Sequence, residues 1–365
     1  MSPEREAAGP PVSPTVTAPA FSILMPAYGT ESYIAEAIES VIDQSRADWE
    51  LLVVDDGSPD RLADVVSDYL ADPRVRLIRQ RNAGVGGALN RAIAESSAPY
   101  VVKLDSDDAL LPHYLQTVAD VLDERYEVGF VACDAYVLDE ANGRVRRRTY
   151  LGAAGRDGRR LDARLARLLE QNVIFSVATI RRTMLRGVGG FDEDRQIIED
   201  WDLWLRLVAA GVNVAFVDQP LAIYRVRFPS ASRDETGAYR GGPRVEHTLR
   251  KAMAELDLDP AERVAAERSL NRNRAMDRMG SARRALLRGD AKCARRMARE
   301  AHALSPSFRT RAIVAGLMLA PGIVRDIHRC MGAAMSVVSG TRHARNLDSG
   351  LVPPTGGPTQ RVGGE

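Results

Sequence analysis

Between residues 21 and 110 the chain alternates between two hydrophobic periods. Short solid apolar runs at 21–25, 50–54, 75–78 and 100–104 are separated by segments whose apolar residues recur every three or four positions. The runs read as strands buried on both faces. Residues 32–44, with Ile34, Ala37, Ile38, Val41 and Ile42 on one side, read as an amphipathic helix. Helices over 61–70 and 87–96 complete the alternation, and Pro26 is expected to stop the first strand. Strand and helix in turn imply right-handed crossovers and a mostly parallel sheet flanked by helices, an α/β fold.

Further along, the pattern predicts a helix at 113–125, a strand at 128–138 and a turn at Asn142-Gly143. The basic, Gly-rich stretch 145–160 reads as a mobile loop. A helix at 161–170, a strand at 177–180, a helix at 201–210 and two strands at 212–217 and 221–224 follow. After about residue 244 the chain changes to Arg- and Ala-rich helices. Those at 272–288 and 291–304, joined by Gly289-Asp290, read as a helical hairpin. The expected organisation is a disordered tail at 1–19, an α/β domain at 20–243, a helical region at 244–340 and a second disordered tail at 341–365.

Composition narrows the class. With 45% hydrophobic and 27% charged residues the chain is an ordinary globular sequence. Its net charge of +1 gives no global pull toward nucleic acid or anionic lipid. Cys133, Cys293 and Cys330 are far apart and in no metal spacing, which fits a reducing, cytoplasmic compartment. Residues 1–18 lack the apolar core of a signal peptide. The apolar stretch 312–324 is interrupted by Gly316, Pro321 and Gly322 and is shorter than the roughly 20 residues a spanning helix needs. It reads as a core helix or an interfacial segment.

Candidate chemistry lies at the ends of the predicted strands. Asp105-Ser106-Asp107-Asp108 follows the fourth run, where open α/β sheets bind ligands. Three carboxylates so close repel one another, and a hard divalent cation relieves that cost. A turn or helix cap before Ala109-Leu110-Leu111-Pro112 is the competing reading. Asp55-Asp56-Gly57-Ser58 ends the second run. It is either a tight turn or a carboxylate acceptor for a nucleotide base or ribose. Asn82-Ala83-Gly84-Val85-Gly86-Gly87 lacks the third small residue of a dinucleotide fingerprint, because Leu89 stands there. It reads as strand-to-helix punctuation. Glu199-Asp200 opens a helix, with Asp200 as either an N-cap or a general base. Trp201, Trp204, Leu205 and Val208 form one apolar face behind it.

These motifs occur in one order: Ser22-Ile23-Leu24-Met25-Pro26-Ala27-Tyr28, Val53-Val54-Asp55-Asp56-Gly57-Ser58, Asp105-Ser106-Asp107-Asp108, Gly189-Gly190-Phe191-Asp192-Glu193 and Glu199-Asp200-Trp201. Over residues 20–230 the chain resembles the family 2 glycosyltransferases, inverting enzymes of the GT-A fold (nucleotide-diphospho-sugar transferase, Rossmann-like). The resemblance implies that Pro26, Ala27 and Tyr28 line a nucleotide pocket and that Asp56 accepts from the base, with Asp55 close by. It implies Asp107 and Asp105 as the Asp-x-Asp element holding Mn²⁺ or Mg²⁺, with Asp105 also at the ribose and Asp108 a weaker candidate. It gives Asp200 as catalytic base with Glu199 beside it, and Gly189, Gly190, Phe191, Asp192, Glu193 and Trp201 on the acceptor side.

Two positions depart from the family pattern. Ala88-Leu89-Asn90 lacks the Arg that many members carry, for which Arg79 or Arg81 would substitute near the base or diphosphate. Arg227 stands where many members place a His, and would bind the diphosphate without ligating metal. The implied partners are a UDP-, GDP- or dTDP-sugar donor and a carbohydrate or lipid-linked acceptor in cell-surface polysaccharide or glycolipid assembly, with no nucleic acid. A nucleotidyltransferase and a non-catalytic nucleotide-sugar binder are the alternatives. The first lacks its basic loop, since Pro26-Ala27-Tyr28-Gly29-Thr30 follows the first strand. The second would be expected to have lost one of the carboxylates. The basic C-terminal helices fit a lid or dimer contact, or peripheral docking on the inner face of an anionic membrane.

Overall fold

The structure, a computed structural model, describes residues 18–140, 144–149, 164–227 and 242–326. Residues 1–17 of the tail expected at 1–19, the tail at 341–365, the Asn142-Gly143 turn and most of the 145–160 loop lie outside the described residues. One sheet organises the rest. Its strands are β1 (Phe21–Ala27), β2 (Trp49–Asp55), β3 (Val75–Arg79), β4 (Tyr100–Lys103), β5 (Ala109–Leu110), β6 (Val128–Asp139), β7 (Arg144–Thr149), β8 (Ala178–Arg181) and β9 (Asn213–Val226). Their order is β3-β2-β1-β4-β8-β6-β9-β5, with β7 paired to β6.

The pairing is parallel across β3-β2-β1-β4 and between β6 and β9. It is antiparallel at β4–β8, β8–β6, β6–β7 and β9–β5. The sheet is therefore parallel in its first four strands and mixed beyond them. Regular strand–helix alternation ends at β4, and with it the crossover geometry that holds neighbours parallel.

The helices are α1 (Ile34–Ile42), α2 (Leu62–Ser67), α3 (Gly84–Glu95), α4 (Tyr114–Glu124), α5 (Leu165–Glu170), α6 (Arg182–Gly187), α7 (Glu199–Ala209), α8 (Gly242–Glu255), α9 (Pro260–Leu287), α10 (Ala291–Leu304) and α11 (Phe308–Leu319). Alternate residues of the parallel strands feed two cores, as a period of two requires. Ile23, Met25, Leu51 and Val53 face Ile34 and Ile38 of α1 and Leu115 and Val118 of α4. Leu24, Leu52 and Val54 face Ala88 and Leu89 of α3 and Trp204 of α7. Trp204 stacks on Phe130 of β6 at 4.9 Å between ring centroids.

Several local expectations change. β1 runs through Pro26 to Ala27. Ala27 O accepts from Asp56 N on the β2 side, so the Pro26 nitrogen faces the other side, where β4 has already ended. No ladder bond is lost. Residues 144–149 form β7 against β6 rather than loop. Ala109–Leu110 is a short strand against β9, not a helix start. The two strands expected at 212–217 and 221–224 are one, β9, with register shifts against β6. The first helix of the C-terminal hairpin begins at Pro260, where Asp259 and Glu262 form a reciprocal capping box.

The change of composition near residue 244 brings no break in packing. Leu249 and Ala252 of α8 and Ala265, Ala266 and Leu270 of α9 belong to the same core as Trp204. A separate cluster joins Ala285 and Leu286 of α9, Ala294 and Ala298 of α10 and Leu317 of α11. Among the described residues, no helix is long and apolar enough to cross a membrane.

Candidate active site

Because β1, β2 and β4 are parallel and adjacent, their C-terminal ends share one edge, and the acidic motifs meet there. Asp55 and Asp56 then divide. Asp55 makes the turn: its Oδ1 accepts from Ser58 N at 2.8 Å, and Arg79 Nε lies 3.4 Å from its Oδ2. Asp56 reaches the start of α3, where its carboxylate accepts from Gln80 Nε2 (2.8 Å), Ala83 N (2.7 Å) and Gly84 N (2.8 Å). The helix N-terminus that could attract a phosphate already holds this carboxylate. The glycines there serve backbone shape and packing. Gly84 has φ +85°, and a Cβ on Gly86 would fall 1.9 Å from Asp192 O.

At the end of β4 the first residue to notice is Lys103, which sequence reasoning counted only as part of an apolar run. Its side chain is 2% exposed, with Nζ 2.7 Å from Asp105 Oδ1 and 3.9 Å from Glu199 Oε1. Burial alone would lower its proton affinity. The surrounding carboxylates Asp105, Glu199 and Asp200 outweigh that and keep it above the ordinary lysine value. A lone charge inside an otherwise solid strand was the available signal.

The three aspartates of the cluster have different neighbours. Asp105 takes Lys103. Asp107 Oδ2 accepts from Arg227 Nε at 2.7 Å. Burial and then the Asp105 charge push the Asp107 carboxyl up, against the pull of Arg227. Asp108 is buried and turned away from the cavity, where its Oδ1 accepts from Arg225 N at 2.9 Å. Burial, with Asp107 and Asp105 adding to it, holds its carboxyl well above the usual range. Arg225 also donates from Nε to Asp107 O at 3.0 Å, so the end of β9 braces the cluster.

The fourth contribution is the start of α7. Ile198, not Asp200, is its N-cap, so Asp200 lies inside the first turn and is free of the capping role. Asp200 Oδ1 accepts from Trp201 N at 2.6 Å. Burial and then its neighbour Glu199 push Asp200 up to about 7, with Lys103 opposing. Glu199 is held between Lys103 and Arg244 of α8, whose Nη2 lies 3.3 Å from Glu199 Oε2 and donates to Ile197 O at 2.6 Å. Nothing in the sequence marked Arg244, one arginine among many.

These groups open into one cavity of about 580 Å³, within the range of small-ligand sites. Its walls include Pro26, Ala27, Tyr28, Asp56, Asp105, Asp107, Glu199, Asp200 and Arg227 from the sequence-based candidates, together with Phe175, Ser176, Tyr224, Arg225 and Arg244. Asp55 lies behind this wall. Arg81 is exposed and does not line it. Nor do Gly189, Gly190, Phe191 and Trp201, expected on the acceptor side. Gly189 and Gly190, at φ +80° and +77°, make the turn after α6. Phe191 is buried and exchanges two 2.9 Å hydrogen bonds with Asn90. Glu193 also accepts from Asn90, at 2.9 Å. Trp201 is core, its Nε1 donating to Leu168 O at 2.9 Å.

Among the described residues, no three His, Cys, Asp or Glu side chains converge into a closed metal cage. Asp105 and Asp107 nonetheless fit a Mg²⁺ or Mn²⁺ site of the open kind, in which one or two carboxylates share the ion with substrate phosphates. The raised Asp107 carboxyl is a group short of positive charge, which such an ion supplies.

Comparison with known proteins agrees with this arrangement. The family model described as Glycosyl transferase family 2 matches residues 22–189, the segment that carries Asp56, Asp105 and Asp107. Residues 22–189 belong to glycosyl transferase family 2. The chain is 30% identical over 216 residues to EpsJ of Bacillus subtilis, an uncharacterised glycosyltransferase, covering 57% of this chain and 61% of that one. It thus spans about three-fifths of that relative's length. Among solved structures, the complex of S. aureus TarS 1–349 with UDP-GlcNAc superposes with a TM-score of 0.58 at 18% identity, over 85% of this chain and 91% of that one. The mannosyltransferase PcManGT from Pyrobaculum calidifontis, in complex with GDP-Man and Mn²⁺, gives 0.51 at 18% identity, over 93% and 91%. At such identities these likenesses establish the GT-A fold and nothing finer.

Proposed function

We propose that this chain is an inverting, metal-dependent glycosyltransferase. It moves a sugar from a nucleoside diphosphate sugar to a hydroxyl of a carbohydrate or lipid-linked acceptor, in cell-surface polysaccharide or glycolipid assembly. One observation carries the proposal. The Asp105/Asp107 pair and Asp200, pushed up to about 7, open into the same cavity. A carboxylate with that proton affinity is matched to general-base work near neutrality. The nucleotide sugars in the TarS and PcManGT complexes support the donor class, and the Mn²⁺ of the latter supports the ion.

The residues divide the work. Pro26, Ala27, Tyr28 and Asp56 form the wall against which the nucleotide would lie. Asp107 and Asp105 would hold a divalent cation, whose chemistry is to neutralise charge on the departing diphosphate. Asp200 takes the proton from the acceptor hydroxyl as its oxygen bonds to the anomeric carbon. The bond from that carbon to the diphosphate breaks in the same displacement, which inverts the centre. Lys103 pairs with Asp105 at 2.7 Å and lies 3.9 Å from Glu199, which fixes both beside the base. Phe175 and Tyr224, in edge contact at 5.5 Å, give the cavity an aromatic wall suited to the apolar face of a sugar.

The unpaired thiols Cys133 and Cys293 fit a cytoplasmic setting. Exposed Phe308, Leu319 and Ile323 on the basic C-terminal region support peripheral membrane contact.

The test is product analysis with UDP-, GDP- and dTDP-sugars. The expected product is free nucleoside diphosphate with the sugar inverted at its anomeric carbon. Pyrophosphate released from a nucleoside triphosphate and a sugar phosphate would make the chain a nucleotidyltransferase instead. Tight donor binding with no release would make it a binding protein.

A further inference from the structure

Each carboxylate of the Asp105-x-Asp107 pair has a protein cation of its own, and the two cations differ in kind. Lys103 Nζ lies 2.7 Å from Asp105, sealed inside the sheet at 2% exposure and shared with Glu199. It has nowhere to move. Arg227 Nε lies 2.7 Å from Asp107 Oδ2, on the first residue past β9, with its guanidinium 5.1 Å from the Tyr33 ring centroid. It lines the cavity and is 17% exposed.

We propose that Arg227 is a resident counter-ion at Asp107 that a divalent cation must displace, and that the displaced guanidinium then passes to the donor's diphosphate. This rests on the donor and metal reading above. The chemistry of the side chain favours the exchange. A guanidinium stays charged at any working pH and cannot ligate a metal, so it can neither be deprotonated out of the way nor join the coordination shell. Asp107 Oδ2 accepts from Arg227, and an ion bound to the same carboxylate would set two like charges side by side.

A cation arriving alone breaks a partly buried ion pair and gives the arginine nothing in return. A cation arriving with a nucleoside diphosphate brings the anion that a guanidinium binds best, two phosphate oxygens matched to its fork. Metal and nucleotide therefore bind with positive coupling, each strengthening the other by the same factor. The other groups facing Asp107 do not substitute for this device. Arg225 is committed to the Asp107 carbonyl and to Glu36, and Lys103 to Asp105.

The experiment is Mn²⁺ binding to the full chain, followed by the electron paramagnetic resonance signal of the free ion. It compares wild type, Arg227→Gln, Arg227→Lys and Asp107→Asn, each first checked for wild-type circular dichroism and melting. Without nucleotide, R227Q is expected to bind Mn²⁺ at least about tenfold more tightly than wild type, R227K like wild type, and D107N not at all. With saturating Mn²⁺ and either UDP or GDP as probe, R227Q is expected to lose about tenfold in nucleotide affinity. R227Q binding Mn²⁺ alone no more tightly than wild type overturns the exchange. Unchanged nucleotide affinity in R227Q overturns the handover. D107N that keeps wild-type Mn²⁺ affinity beside UDP or GDP refutes the metal assignment itself, a different failure.

Discussion

Replacing Asp200 by Asn should remove turnover and at the same time make the protein more stable. An aspartate that ionises near 4 in the unfolded chain and at about 7 in the folded one holds a proton more tightly when folded. As pH rises from about 4 to about 7 the folded state binds more protons than the unfolded state, so unfolding becomes easier. This is opposite to the usual salt-bridged carboxylate, and the loss is complete above pH 7. Each tenfold gain in proton affinity is worth about 1.4 kcal/mol, so the rise from near 4 to about 7 gives about 4 kcal/mol as an upper bound. Water entering the open cavity screens the charge and reduces this to about 2 kcal/mol.

Asn keeps the Oδ1 that accepts from Trp201 N and carries no charge at any pH. Melting curves of wild type and D200N between pH 4.5 and 8.5 test the idea. At pH 8, D200N should melt about 4–8 °C higher. The gap should narrow steadily as pH falls toward 4.5. In the wild type, kcat/KM should rise with pH through about 7 and then level, because the base works deprotonated. Donor binding should survive in the variant. Equal melting temperatures across the whole range would refute the burial of charge at Asp200. Wild-type turnover in D200N would refute its role as base.

Lys103→Met leaves Asp105 and Glu199 without their buried cation, and breaking a buried pair from one side costs about 3–5 kcal/mol. Its melting temperature should fall by about 6–20 °C at pH 8. A change of under a degree would show that the lysine is idle. Gly86→Ala places a methyl 1.9 Å from Asp192 O, a backbone atom that must shift. The expected cost is about 1–3 kcal/mol in urea unfolding. An unchanged midpoint would refute the close approach of α3 and the 191–193 segment.

The parts of the molecule legible in the sequence are those whose cause is local. The solid runs at 21–25, 50–54 and 100–104 become β1, β2 and β4, because strands covered on both faces are apolar at most positions. Parallel pairing then carries Asp56, Asp105 and Asp107 to one edge. Beyond β4 the direction of each strand depends on pairings across long separations, such as Lys103 with Ala178 and Leu110 with Ala222. Hydrophobic period carries no such information. The same limit applies within the site. Gly190 and Phe191 matched a motif, but their neighbour is Asn90, a hundred residues earlier, and that contact turns them inward. Arg244 was invisible because its importance comes from where α8 docks.

The charges of the cavity explain why this edge is built as it is. Buried ion pairs are poor stabilisers, and well-packed apolar side chains often serve a fold as well or better. A sealed lysine under an acidic cluster is therefore not there for the fold. Asp200 raised to about 7 and Asp107 raised by burial and by Asp105 mark the same edge as strained in its charge, the condition in which a cation or a proton arriving with substrate gains most. Lys103 keeps the strain within what the fold tolerates, since without it Asp105, Glu199 and Asp200 would have only Arg244, at Glu199, to offset them. Its position is fixed in β4, so it does this in every state of the site. Arg227 sits past the end of β9, paired with Asp107 and open to the cavity. The sealed cation faces the carboxylates beside Asp200, and the cation at the cavity wall faces the one that, on the proposal above, is given up to a metal.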